Sequence, residues 1–194
     1  MSVRRPVLAA CVAAFLSLGA STAVQAQAPA AVQAKVAEQV QPLLGTLKEL
    51  VSIESGSRDL EGLATTANLV ADRLKAAGMT VQVLPAKAPD FHPQLKGATV
   101  GSMVYATRTG TGKRKVLLIA HMDTVYTKGM AAKQPFRVEG DKAWGLGISD
   151  DKGGVALALH TAQLLDQLGF KDYAQFGVLI NADEEIGSPG SGAF

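Results

Sequence analysis

The 194-residue chain has a single cysteine, no basic cluster interleaved with aromatics, and no apolar run long enough to cross a bilayer. Each of these excludes something. Cys11 lies in an N-terminal stretch that reads as removable, so the remaining protein has no disulfide and needs a core, a metal or association for stability. Without a Lys/Arg cluster and neighbouring aromatics there is no footprint for nucleic acid. The longest apolar run, "PVLAACVAAFLSLGA", falls short of the about 20 residues that a membrane-spanning helix requires. No internal repeat occurs, and no low-complexity tract outside a short Ala/Gln/Pro linker.

What is present at the N-terminus is an export signal. Arg4 and Arg5 precede the apolar run, and the small-x-small site "VQA" at 24–26 suits a signal peptidase cutting near Ala26 or Ala28. Residues 1–26 are therefore read as a signal peptide and the protein as secreted or periplasmic, with no membrane association after cleavage. Removal takes two arginines and no acid. The 19 basic residues fall to 17, equal to the 17 acids, and the apparent net charge of +2 disappears. Residues 27–194 are long enough to bury one good core.

Hydrophobic spacing gives the elements. Apolar residues in the segment Val32 to Ile53 repeat at a helical period, with Pro42 marking a kink or a first turn. A second amphipathic helix is expected from about Glu61 to Ala77, stopped by Gly78. "MTVQVLP" alternates as a strand does, and residues 85–97, rich in proline, read as a surface loop. "TVGSMVYATR" and "RKVLLIAH" flank "TGTGK" and predict a hairpin. The second of these strands is apolar on both faces, which predicts a central place in the sheet. A short strand pair is expected around "PFRVEGDKAWG", then a helix from Asp151 or Lys152 to about Leu168, then the strand "QFGVLINA". Strand, helix, strand implies a right-handed crossover. The expected fold class is α/β, with a mostly parallel central sheet and flanking helices.

Three charged motifs fall at comparable places. "AHMDTVY" follows "KVLLI", "GLGISDDKGG" precedes a helix, and "ADEEIG" follows "FGVLI". In open α/β sheets ligands gather outside the carboxyl ends of strands, so His121, Asp123, Asp150, Glu184 and Glu185 are expected in one crevice. Each fragment alone has an ordinary explanation: a satisfied histidine, a helix cap, a solvated turn. Together they offer imidazole and carboxylate, ligands suited to zinc in a protein without thiols. Asp123 is placed to orient the imidazole of His121, and "DEE" can supply both a ligand and a proton acceptor. The residues alone leave open which glutamate does which.

"HMDTVY", "GLGISDDKGG" and "ADEEIGS", in this order after two helices, resemble the catalytic domain of the zinc-dependent aminoacylase and glutamate carboxypeptidase superfamily of metallopeptidases, and most of all its glutamate carboxypeptidase branch. The resemblance runs from about residue 40 to the end. It implies two Zn2+ ions, with His121 on one, Asp150 bridging both and Glu185 on the other. It further implies Glu184 as general base, Asp123 as the clamp on His121, and a cis peptide between Asp150 and Asp151. Relatives continue past "DEE" with another acidic ligand, an inserted dimerisation domain and a late strand-helix return bearing a second histidine. The chain is accordingly expected to be the N-terminal part of such a catalytic domain, with a homodimer when complete.

Other residues are set aside. His160 lies ten residues beyond Asp150, roughly 15 Å along a helix axis, and is expected to be structural. His92 is read as solvated in its loop, and Trp144 as packed beneath the short strand pair. "GLGISD" lacks the third glycine of a dinucleotide fingerprint, "GTGK" fails as a phosphate loop, and "GSPGSG" is no nucleophile elbow. The expected function is a metal-dependent hydrolase of carboxypeptidase type acting on a small peptide, cleaving an amide next to a C-terminal amino acid such as glutamate. Deacylation of an N-acyl amino acid is the alternative within the same chemistry. A silent fragment that binds only metal or a partner is the alternative outside it.

Overall fold

The computed structural model describes residues 28–194, so the export segment read at 1–26 lies outside the described residues. The single helical period near the start resolves into two helices, α1 (Ala30–Glu38) and α2 (Val40–Ser52), broken at Gln39. Pro42 sits in the first turn of α2, where its missing N–H has no intrahelical partner to lose. α2 buries Thr46, Leu47, Leu50 and Val51. Helix α3 (Leu60–Ala76) begins where the Asp59 carboxylate accepts the Gly62 N–H at 3.1 Å, and it buries Leu63, Ala67, Val70 and Leu74 along one stripe. Gly78, at φ +71°, turns the chain out of the helix in a conformation that favours glycine.

Strands β1 (Thr80–Lys87), β2 (Thr99–Thr109), β3 (Lys115–His121) and β6 (Gln175–Asn181) form one sheet in the order β1-β2-β6-β3. β1 runs two residues past Pro85, which falls at a shift in the β1–β2 register, so the surface loop begins later than expected. The short pair β4 (Arg137–Glu139) and β5 (Lys142–Trp144) stands apart as a separate ribbon. Helix α4 (Gly153–Gln167) follows and leads into β6. Helices α3 and α4 pack on one face of the sheet and α2 packs against α4, enclosing a core that includes Val104, Ala106, Ala120, Val178 and Ile180. A smaller cluster of Ala86, Val100, Met103 and Leu179 fills the opposite face.

Three expectations need correction. The sheet is mostly antiparallel: β1 pairs with β2, and β2 with β6, in antiparallel fashion, and only β3 and β6 run parallel. β2 and β3 are not a hairpin, because β6 lies between them. The Gly-rich link instead binds the segment entering β6, with Gly110 N–H donating to Ala174 O and Gly112 N–H to Tyr173 O. β3 is also not central but an edge among the described strands, and Ile119 is 65% exposed. The physical reason is common to all three. β6 is buried at every position after its first, so the most apolar strand takes the place with backbone partners on both sides. Adjacent strands lie about 4.8 Å apart, so a five-residue link easily steps over one.

Candidate metal centre

Parallel pairing sets β3 and β6 to end together, with His121 opposite Asn181 and the Met122 N–H donating to Asn181 O at 2.9 Å. The two loops that leave these ends carry "MDT" and "DEE" side by side. The third loop is the irregular turn Ile148–Lys152, which opens α4. Gly147 begins it at φ +74°, and the Lys152 N–H closes it on Gly147 O at 2.9 Å. The peptide bond between Asp150 and Asp151 is cis.

These loops bring His121, Asp150 and Glu185 together, with one donor atom from each within 4.8 Å of the others. Nε2 of His121 lies 2.9 Å from Asp150 Oδ1 and 3.9 Å from Glu184 Oε2. Nδ1 lies 3.3 Å from Asp123 Oδ1 and 3.2 Å from the Asp123 carbonyl oxygen. The imidazole is buried, while Asp150 and Glu184 face outward.

Asp123 is fully buried and does more than touch the histidine. Its carboxylate accepts the backbone N–H groups of Glu184 and Glu185, both at 3.1 Å, and the Ser57 hydroxyl at 2.8 Å. One acid therefore holds the histidine loop, the acidic turn and the segment after α2 in mutual register. The three acids of "DEE" divide in the same way. Asp183 points inward and accepts Gly190 N–H at 2.6 Å, Ser191 N–H at 3.0 Å and the Ser191 hydroxyl at 2.5 Å, leaving Glu184 and Glu185 at the rim. Asp151 accepts the Gly154 N–H at 3.0 Å as a cap on α4. Lys152 is buried and donates to Leu50 O and Ile53 O at 2.8 and 2.6 Å, tying the turn to the end of α2.

Sequence reasoning missed Ser57, Asp183 and Lys152 as structural partners of the site. Lys152 and Asp183 stood inside quoted motifs, but nothing in the order of residues tells an inward acid from an outward one. Ser57 carried no signal, since it meets Asp123 across 66 positions. The residues set aside are found apart from the cluster. His160 is buried between α2 and α4, with Nε2 2.8 Å from Thr46 Oγ1 and Nδ1 3.0 Å from Gln39 Oε1. His92 accepts the Leu95 N–H within its own loop. Trp144 is not covered but half exposed, with the Arg137 guanidinium 5.2 Å over its ring.

Electrostatics favour a cation here. Burial pulls the His121 pKa down, but the hydrogen-bonded Asp150 and the charges of Asp123, Glu184 and Asp151 outweigh it and raise the value. Glu185 is raised too, by burial and then by repulsion from Asp150. A site that lifts both an imidazole and a carboxylate is short of positive charge. One nitrogen and two oxygen donors suit a divalent ion such as zinc, so the residues fit that group.

The fold is shared with solved peptidase structures. Human carnosine dipeptidase 1 superposes with a TM-score of 0.66 at 22% identity, covering 81% of this chain and 35% of that one. Residues 117–194 match the model of peptidase family M20/M25/M40. It is 43% identical over 190 residues to carboxypeptidase G2 of Pseudomonas sp. (strain RS-16), covering 98% of this chain and 43% of that protein. It is 29% identical over 146 residues to the Beta-Ala-Xaa dipeptidase of Lactobacillus delbrueckii subsp. lactis, covering 74% and 30%. The chain thus spans less than half the length of the curated relatives it matches.

Proposed function

We propose that residues 27–194 carry part of the catalytic domain of a carboxypeptidase-type metallohydrolase that cleaves the amide next to a C-terminal amino acid such as glutamate. The observation that carries this reading is the meeting of His121, Asp150 and Glu185 at the ends of two parallel strands. The identity to carboxypeptidase G2 supports the carboxypeptidase type. His121, Asp150 and Glu185 would hold zinc, and Asp150, the most open of the three, suits a bridge to a second ion. Bound zinc supplies Lewis acidity towards the scissile carbonyl and the attacking water.

The chain's own side chains do the rest. Glu184, half exposed and 3.9 Å from His121 Nε2, takes the proton of the attacking water on its carboxylate and delivers it to the leaving amine. Asp123 holds the acidic turn by two N–H groups, so Glu184 and Glu185 diverge from a fixed backbone. It also orients the imidazole through Nδ1, so that Nε2 is the atom that would hold the metal. Export through residues 1–26 and a homodimer belong to the same reading, supported by N-terminal composition and by the resemblance respectively.

The test is Glu184→Ala in a full-length, zinc-loaded form of the protein, assayed on a peptide ending in glutamate and on N-acyl amino acids. Zinc content stays at the wild-type level and turnover falls by about 100- to 10,000-fold. A variant that hydrolyses at the normal rate ends the assignment.

A further inference from the structure

Beside the metal centre runs a groove of about 610 Å3 that shares Glu185 with it. It is lined by the segments 56–59 and 124–128 and by Glu185 and Ile186. The walls are built rather than loose. Gly56 and Thr124 form a parallel bridge, Ser57 N–H donates to Thr124 O at 3.2 Å, and Thr124 N–H to Ser55 O at 2.9 Å. A Cβ on Gly56 would collide with Tyr126 O, so the two backbones lie close there. Beyond Lys128, the Glu54 carboxylate accepts the Gly129 and Ala131 N–H groups at 2.8 and 2.9 Å, which anchors the second wall.

Most charges around this groove are already committed. Lys128 pairs with Glu61 at 3.2 Å, Asp59 caps α3, and Glu185 belongs to the donor cluster. Arg58 differs: it is exposed, lines the groove, and forms no ion pair with any described residue. Val125, Tyr126 and Ile186 add apolar surface next to it. A guanidinium with no ion-pair partner among the described residues, in a groove that also has apolar lining, complements a short aliphatic stem ending in a carboxylate, which Arg engages through two parallel N–H donors.

We propose that this groove is a recognition subsite for a carboxylate of the substrate, with Arg58 as the residue that selects it. The proposal rests on the hydrolase reading above, because it takes the groove as the continuation of the reacting site. Arg58 is a specificity residue and has no part in the bond cleavage. The carboxylate can belong to a chain terminus or to an acidic side chain, and the two sources are separable by experiment.

Binding to the zinc-loaded protein is measured by calorimetry with three probes: N-acetylglutamine, which has only the terminal carboxylate; N-acetylisoglutamine, which has only the side-chain carboxylate; and N-acetylglutaminamide, which has neither. The wild type prefers one charged probe over the neutral one by about tenfold, the worth of one charge-assisted contact. Arg58→Ala removes that preference and leaves the neutral probe unchanged, and the probe affected identifies the source. Arg58→Lys keeps part of it. Preference that survives Arg58→Ala overturns the subsite, as does an equal loss on both charged probes that 0.5 M salt abolishes, since that marks only a diffuse field. Zinc uptake is measured before any probe is added. Failure to take up zinc sinks the hydrolase reading and the subsite with it, whereas normal uptake with no role for Arg58 sinks the subsite alone.

Discussion

Asp123 concentrates more of the site than any other residue described. A single carboxylate without solvent accepts two backbone N–H groups and a hydroxyl, and it lies against the imidazole. Asp123→Asn keeps its shape but turns an NH2 group towards donors, so at least one of those bonds is lost. Zinc affinity should fall by about 10- to 100-fold, and folding stability by about 1–3 kcal/mol, read by zinc titration and urea unfolding. Unchanged values for both would show that the buried acid is dispensable. His-x-Asp spacing made the Asp123–His121 pairing legible in the sequence. The fates of Asp183, Glu184 and Glu185 were not legible, because side-chain direction in a turn depends on backbone angles that identical residue types do not encode.

At the level of elements, helices were the most readable. The stripe Leu63, Ala67, Val70, Leu74 and the stop at Gly78 sit where the period put them, because both signals are local. Strand order was not readable. "KVLLIAH" and "QFGVLIN" are alike in apolar content, yet among the described strands β3 is an edge and β6 is central. Which of two similar strands is flanked on both sides depends on partners far along the chain. Between helices, His160 joins α2 and α4 in its neutral form. Burial first, and then the Arg73 guanidinium, hold its pKa below the ordinary value. Below about pH 6.5 the unfolded chain therefore takes up this proton before the folded one does. The contribution is complete above that pH and declines as pH drops towards the lowered folded value. Urea unfolding at pH 7.5 and 5.5 should show a steeper loss for the wild type than for His160→Gln, and identical slopes would refute the neutral pairing.

Across the whole molecule, folding and metal binding are linked through the donors that only the folded chain assembles. Zinc at a hundred times its dissociation constant should stabilise the protein by about 2.7 kcal/mol, with a matching rise in melting temperature that a chelator reverses. His121→Ala should abolish the rise, and a wild type whose melting is indifferent to zinc would contradict the centre. The sequence by itself determined the residue types at the site, the helices α3 and α4 to within a residue or two, and the α/β class, since these follow from chemistry and from periods within a dozen residues. Tertiary structure alone decided that β6 separates β2 from β3, that the sheet is mainly antiparallel, and that Ser57 reaches Asp123 from 66 positions away. Those outcomes depend on which buried backbone groups find partners across the fold, a competition settled by the whole core and not by any local pattern.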